Sequence, residues 1–176
     1  LKSLKQIPNS FLSTGGLTIY TNLDIYAQNA LEESINNYYD ENSPELAGIM
    51  INPNNGNIIA LTGGKNYKQS QFNRAIDSKR SIGSTIKPFL YYSALENGFT
   101  PSTTFTSEKT TFTFSDGELY SPTNYGDKYP DKSISMVSAI AFSDNIFAVK
   151  THLFLGENAL VDIANKVGIK EKLEHD

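Results

Sequence analysis

Ser84 and Lys87 stand three residues apart, and Ser84 is the only serine in the chain with a lysine at that spacing. Gly83 precedes the serine and Pro88-Phe89 follows the lysine, a pattern that predicts a tight turn leading into a helix. Side chains at i and i+3 share a helix face and can touch. A serine hydroxyl is a weak nucleophile unless a base stands beside it. A lysine amine serves as that base only when neutral, although its reference pKa is about 10.4. A dry pocket and the positive end of a helix both favour the neutral amine. The N–H of Ser84, unpaired at a helix start, can also face a developing oxyanion. The pattern equally fits a helix cap followed by a solvated lysine.

A second constellation is Ser143-Asp144-Asn145, in the break between two predicted helices. A hydroxyl at Ser143 can relay a proton to a leaving amine. The Asn145 amide can hold both Lys87 and a substrate carbonyl. The alternative is an ordinary N-cap for the helix that follows. A similar tripeptide, Ser34-Ile35-Asn36, falls inside a predicted helix and reads as a solvated face.

The elements that must position these groups are predicted from pattern. Residues 17–21 (LTIYT) are rich in β-formers and read as a strand. Thr21 or Asn22 is the expected cap of a helix carrying Leu23, Ala27, Ala30, Leu31 and Ile35. Two apolar runs, 46–51 and 58–61, flank Asn52-Pro53-Asn54-Asn55-Gly56 and read as a β-hairpin against that helix. Residues 65–79 read as a polar surface connection. The nucleophile helix is expected from about Ser84 to Asn97, with Gly98 at its C′ position. Residues 100–131 form a polar stretch with one short hairpin around Phe112–Phe114 and Ser115-Asp116-Gly117. Further helices are expected over 133–142, 145–155 and 157–167, the last closed by Gly168.

Composition narrows the classes. The chain has 176 residues, 39% hydrophobic and 19% charged, with a net charge of −4 and no long Lys/Arg run. A nucleic-acid footprint is not expected. There is no cysteine, which excludes a disulfide scaffold, thiolate zinc sites and a cysteine nucleophile. No apolar run reaches membrane-spanning length. His152 and His175 are isolated in sequence and read as ordinary helix and tail residues.

Taken in order, several segments resemble the class A penicillin-binding proteins. Residues 80–89 (RSIGSTIKPF) resemble their nucleophile motif, with Phe72-Asn73-Arg74-Ala75 upstream. Residues 16–24 resemble the opening of their transpeptidase domain. Tyr120-Ser121-Pro122-Thr123-Asn124-Tyr125 resembles their Pro-x-Asn-Tyr element, and residues 139–149 resemble their second motif. The resemblance implies an α+β fold of the serine β-lactamase and penicillin-binding transpeptidase type, with antiparallel strands and a helical subdomain carrying the nucleophile. Residues 1–16 would be a linker, and 17–176 the N-terminal portion of the transpeptidase domain.

It further implies that Ser84, Lys87 and Ser143 are catalytic and that Asn145 binds substrate. The ligands would be the D-Ala-D-Ala end of a peptidoglycan stem peptide, and β-lactams, with no metal and no organic cofactor. The working place would be the extracellular face of the cytoplasmic membrane, reached through an N-terminal anchor outside this chain. The family's third motif, Lys-Thr-Gly, is not in the sequence, and Thr62-Gly63-Gly64-Lys65 is only a reversed lookalike. The chain is therefore expected to be part of a longer protein, with an open sheet edge that invites self-association. A class A β-lactamase and a non-catalytic β-lactam or peptidoglycan-binding module remain alternative readings.

Overall fold

The computed structural model describes residues 16, 18–38, 40, 42–114, 117–156 and 158–169. The chain divides into two compact units, residues 1–80 and 81–176.

In the first unit, helix α1 spans Ile25–Tyr38. Its cap is Asp24, whose Oδ1 accepts from the N–H groups of Tyr26 and Ala27 at 2.9 and 3.2 Å. The expected caps, Thr21 and Asn22, lie too early. Strands β1 (Gly48–Ile51) and β2 (Ile58–Thr62) form the anticipated antiparallel hairpin, pairing Gly48 with Thr62 and Met50 with Ala60. Its turn closes through Gly56, at φ +73°, whose N–H donates to Asn52 O at 2.9 Å. The α1 face formed by Ala27, Gln28, Leu31 and Ile35 is half-buried.

Gln28 on α1 bonds the free side of β2. Its Nε2 donates to Leu61 O at 3.1 Å, and its Oε1 accepts from Leu61 N at 2.9 Å. The side-chain amide thus stands in for the peptide unit of a third strand. Asp24 N–H adds a bond to Ile59 O at 2.9 Å. Among the described residues β1 has no strand partner besides β2.

The expected strand at 17–21 is corrected. Residue 17 lies outside the described residues, and 18–21 form no strand. Tyr20 is 92% exposed, so this segment has no buried face to hold it in a sheet. Residues 65–79 are more than a surface connection. They include helix α2 (Arg74–Asp77), capped by Asn73, and Arg74 pairs with Glu45 at 3.6 Å.

In the second unit a 3-10 turn, Gly83–Ile86, leads into helix α3 (Lys87–Glu96). Strand β3 (Thr104–Ser107) follows, then the short β4 (Phe112–Thr113) and β5 (Leu119–Tyr120). Strand β6 (Lys132–Ser135) leads into helices α4 (Met136–Phe142), α5 (Asn145–Leu155) and α6 (Ala159–Lys166). Strand β3 pairs antiparallel with β6, and β4 with β5. The described strands thus form three two-stranded ladders. The core gathers Leu90, Tyr91, Ala94, Phe99, Met136, Ala139, Phe147 and Ala148, with Phe105 edge-on to Phe147 at 5.1 Å.

Two helix boundaries shift. Residues 133–135 are strand, because they pair with 104–106 and because the Ser135 hydroxyl accepts from Ser138 N–H and so fixes the start of α4. Residues 84–86 are 3-10 turn, and the α-helix begins at Lys87. Gly98 does lie just past the end of α3, at φ +90°, and Phe99 N–H closes on Ala94 O at 3.0 Å. Residue 157, the first of the helix expected over 157–167, and the tail residues 170–176, His175 included, lie outside the described residues. No helix of the described residues is long and apolar enough to cross a membrane.

Candidate active site

The site is built where the start of α3 meets the junction between α4 and α5. Ser84 is the second residue of the 3-10 turn and is exposed. Gly83 enters that turn at φ +52°, a left-handed conformation that a side chain disfavours. Ser84 C=O accepts from Lys87 N–H, while its hydroxyl has no hydrogen-bond partner among the described residues. Thr85 Oγ1 donates back to Ile82 O and tightens the turn.

Lys87 is the first residue of α3 and only 8% exposed. Its Nζ donates to Ser143 O at 2.6 Å, to Ser143 Oγ at 3.0 Å and to Asn145 Oδ1 at 2.5 Å. Burial pushes the Lys87 ammonium below the usual lysine range, and the negative charge of Asp144 partly opposes that shift.

The α4–α5 junction presents these acceptors because of its backbone. Ser143 ends α4 in the left-handed conformation, φ +52°, ψ +45°. Its N–H and that of Asp144 close on carbonyls of the last turn of α4. Glycine usually takes such a position, and a non-glycine residue there stores about 1–2 kcal/mol. Asp144 then caps α5, accepting from Phe147 N–H at 2.7 Å, so Asn145 is the first residue of that helix.

Ser84, Lys87 and Ser143 line one cavity of about 380 Å³, walled by Pro88, Tyr91 and Met136 among others. Asn145 does not line that cavity and joins the group through its bond to Lys87. Four side chains marked in the sequence are thus gathered, with Lys87 as their centre. The Ser84 hydroxyl shares the wall with the amine but is not bonded to it.

Sequence reasoning assigned no part to three residues behind the site. Asp144 is 4% exposed and its carboxylate accepts from Ser107 Oγ at 2.5 Å and Asn124 Nδ2 at 2.8 Å. A buried carboxylate is tolerated only with such donors. Asn124 sits in the Pro-x-Asn-Tyr segment, which was the available signal. Ser107 gave none. Tyr91, one turn after Lys87, is also buried in the cavity wall, and its hydroxyl has no partner among the described residues. Burial, with Asp144 adding to it, pushes that hydroxyl well above the usual tyrosine range.

The penicillin binding protein transpeptidase domain family matches residues 46–176. Penicillin-binding protein 2D of Bacillus subtilis is 46% identical over 165 residues, covering 93% of this chain and 24% of that protein. Penicillin-binding protein 1A of Aquifex aeolicus is 38% identical over 129 residues, covering 72% and 18%. The crystal structure of penicillin-binding protein 1A from Haemophilus influenzae superposes with a TM-score of 0.69 at 31% identity, covering 75% of this chain and 20% of that one.

The fold is α+β, with the four candidate residues gathered on its helical part. The chain belongs to the penicillin-binding protein transpeptidase domain family, as its resemblance to the class A proteins implied. It spans about a quarter or less of the length of these relatives.

Proposed function

We propose that this chain carries the nucleophile side of a D,D-transpeptidase active site that cross-links peptidoglycan stem peptides through a serine acyl-enzyme. The observation that carries the reading is the seating of Lys87 Nζ among Ser143 O, Ser143 Oγ and Asn145 Oδ1. Two of these, the peptide oxygen and the amide oxygen, can only accept. They keep two N–H bonds whichever state the amine is in. Only the Ser143 hydroxyl can also donate. Losing the third proton gives the amine a lone pair while its bonds to these two fixed acceptors are kept.

In this reading neutral Lys87 takes the proton of the Ser84 hydroxyl as its oxygen attacks the carbonyl carbon of the penultimate D-alanine. The C–O bond forms and the C–N bond to terminal D-alanine breaks. Ser143 passes the proton to the leaving nitrogen. Asn145 holds the amine and binds the substrate. An amine of a neighbouring stem peptide then attacks the ester and restores the Ser84 hydroxyl. A β-lactam acylates Ser84 by the same attack, its ring nitrogen leaving but remaining tethered. The steps call on no metal and no organic cofactor.

The same reading makes residues 1–16 a linker and 17–176 the N-terminal portion of the domain. It places the working protein at the extracellular face of the cytoplasmic membrane, held by an anchor outside this chain. The edge of β1 that has no strand partner among the described residues offers a site for self-association.

Labelled penicillin tests the proposal on the intact protein as its gene encodes it. The parent should take up covalent label that survives denaturation, and Ser84→Ala should take up none. Ser84 is exposed and unbonded, so that variant should keep its stability within about 0.5 kcal/mol. A parent that stays unlabelled, or a Ser84→Ala variant that still labels, sinks the reading.

A further inference from the structure

The Asn124 amide and the Asp144 carboxylate take no part in the steps above, yet Asn124 bonds the backbone of Asn145, which holds Lys87, and Asp144 bonds Asn124. Asn124 is 8% exposed, Asp144 4% and Ser107 0%. One end of the Asn124 amide, Nδ2, donates to Asp144 Oδ2 at 2.8 Å. The other end, Oδ1, accepts from Asn145 N–H at 2.7 Å. The carbonyl of the preceding residue, Thr123, accepts from Asn145 Nδ2 at 2.6 Å. Two consecutive residues therefore hold Asn145, one at its backbone and one at its side chain.

The bond to Thr123 decides which way the Asn145 amide faces. A carbonyl can only accept, so the NH₂ group must meet Thr123, and Oδ1 is left for Lys87. Position 124 in turn needs an amide. One end must accept from an N–H and the other must donate to a carboxylate. An aspartate offers acceptors only, and a leucine offers neither.

We propose that Asn124 and Asp144 are a positioning pair for the Lys87 amine, acting through Asn145, a role that rests on the acyl-enzyme reading above. Asn124 fixes where the Asn145 oxygen sits. Asp144, buried with Ser107, Asn124 and the Phe147 N–H as its donors, supplies the negative charge that acts on the ammonium. Tyr91 and Tyr92 are the other titratable groups that share the cavity wall with Lys87. Lys150 on α5 is engaged with Thr106 O at 2.7 Å.

The test is the pH dependence of single-turnover acylation by labelled penicillin in the intact protein. Asn124→Asp retains an acceptor for Asn145 N–H and sets a second carboxylate beside Asp144. The two carboxyls share a proton near neutral pH, and once both ionise the added charge favours the ammonium, so the acid limb should move up by about one pH unit. Asp144→Asn removes the charge and keeps an oxygen for the Phe147 N–H. Its limb should move down by about one pH unit. Opposite displacements are not produced by loosened packing. The pair is refuted if either folded variant loses rate with its limb unmoved, or if both match the parent. Should Asn124→Asp fail to fold, the Asp144→Asn limb decides alone: a downward move supports the pair and an unmoved limb overturns it. An unlabelled parent sinks the acyl-enzyme reading first, which separates the two failures.

Discussion

Nζ of Lys87 lies 2.5 Å from Oδ1 of Asn145, a residue 58 positions further along the chain. The place of the amine is therefore set by the first turn of α5 as much as by its own helix. In the proposed reading, serine and lysine at i and i+3 are the reagents, and the α4–α5 junction holds the amine in place.

The pH dependence of acylation should reveal the neutral amine. Burial lowers the Lys87 pKa and Asp144 only partly offsets this. The rate should rise with pH along a limb centred below the ordinary lysine value of about 10.4. The same shift acts on stability. Between the lowered pKa and the ordinary value the unfolded chain binds the proton more than the folded one does. This lysine's contribution is fully present above the ordinary value and lost as pH falls through the lowered one. Lys87→Arg keeps a charge that cannot be removed, and acylation should fall by about 10²–10⁴-fold. A limb at or above the free-lysine value would contradict the assignment.

At Ser143, backbone and hydroxyl can be separated. Glycine adopts φ +52° without the steric cost that alanine incurs. Ser143→Gly should be more stable than Ser143→Ala by about 1 kcal/mol in chemical denaturation. Both should lose about 10²-fold or more in acylation, because both lack the hydroxyl. Equal stabilities would show that the left-handed conformation carries no cost. Full activity in either variant would remove the proton relay.

Gln28→Met should leave Leu61 N–H and C=O without the partners they have now. Methionine is close in volume, so the loss is chiefly of hydrogen bonds, about 1–3 kcal/mol. Hydrogen exchange at the Leu61 amide should accelerate together with the drop in denaturation midpoint. Unchanged exchange would mean that water replaces the clamp at no cost.

What the sequence made legible was local. Asn52-Pro53-Asn54-Asn55-Gly56 announces the hairpin because each residue suits a turn, and Gly98 announces the end of α3. The cap of α1 was misread because Thr21, Asn22 and Asp24 are all capping types, and only the bonds to Tyr26 and Ala27 choose among them. The β3–β6 ladder escaped because Thr104–Ser107 and Lys132–Ser135 are short and polar, and the pairing that stabilises them is not local. Ser84, Lys87, Ser143 and Asn145 were legible as candidates from spacing and resemblance, and the structure brings them together. Ser107 and the roles of Asn124 and Asp144 were not, because a buried hydrogen-bond network leaves no periodic trace.

Asp144 is both the cap that begins α5 and a negative charge that favours the Lys87 ammonium, and the Phe147 N–H that closes the cap belongs to a residue with 0% exposure. Any motion that opens this first turn carries the carboxylate, the Asn145 oxygen and the Ser143 carbonyl away from the amine at once. Disarming the site and fraying one helical turn are then a single event. The exchange lifetime of the Phe147 amide becomes a clock for how long the chemistry stays assembled.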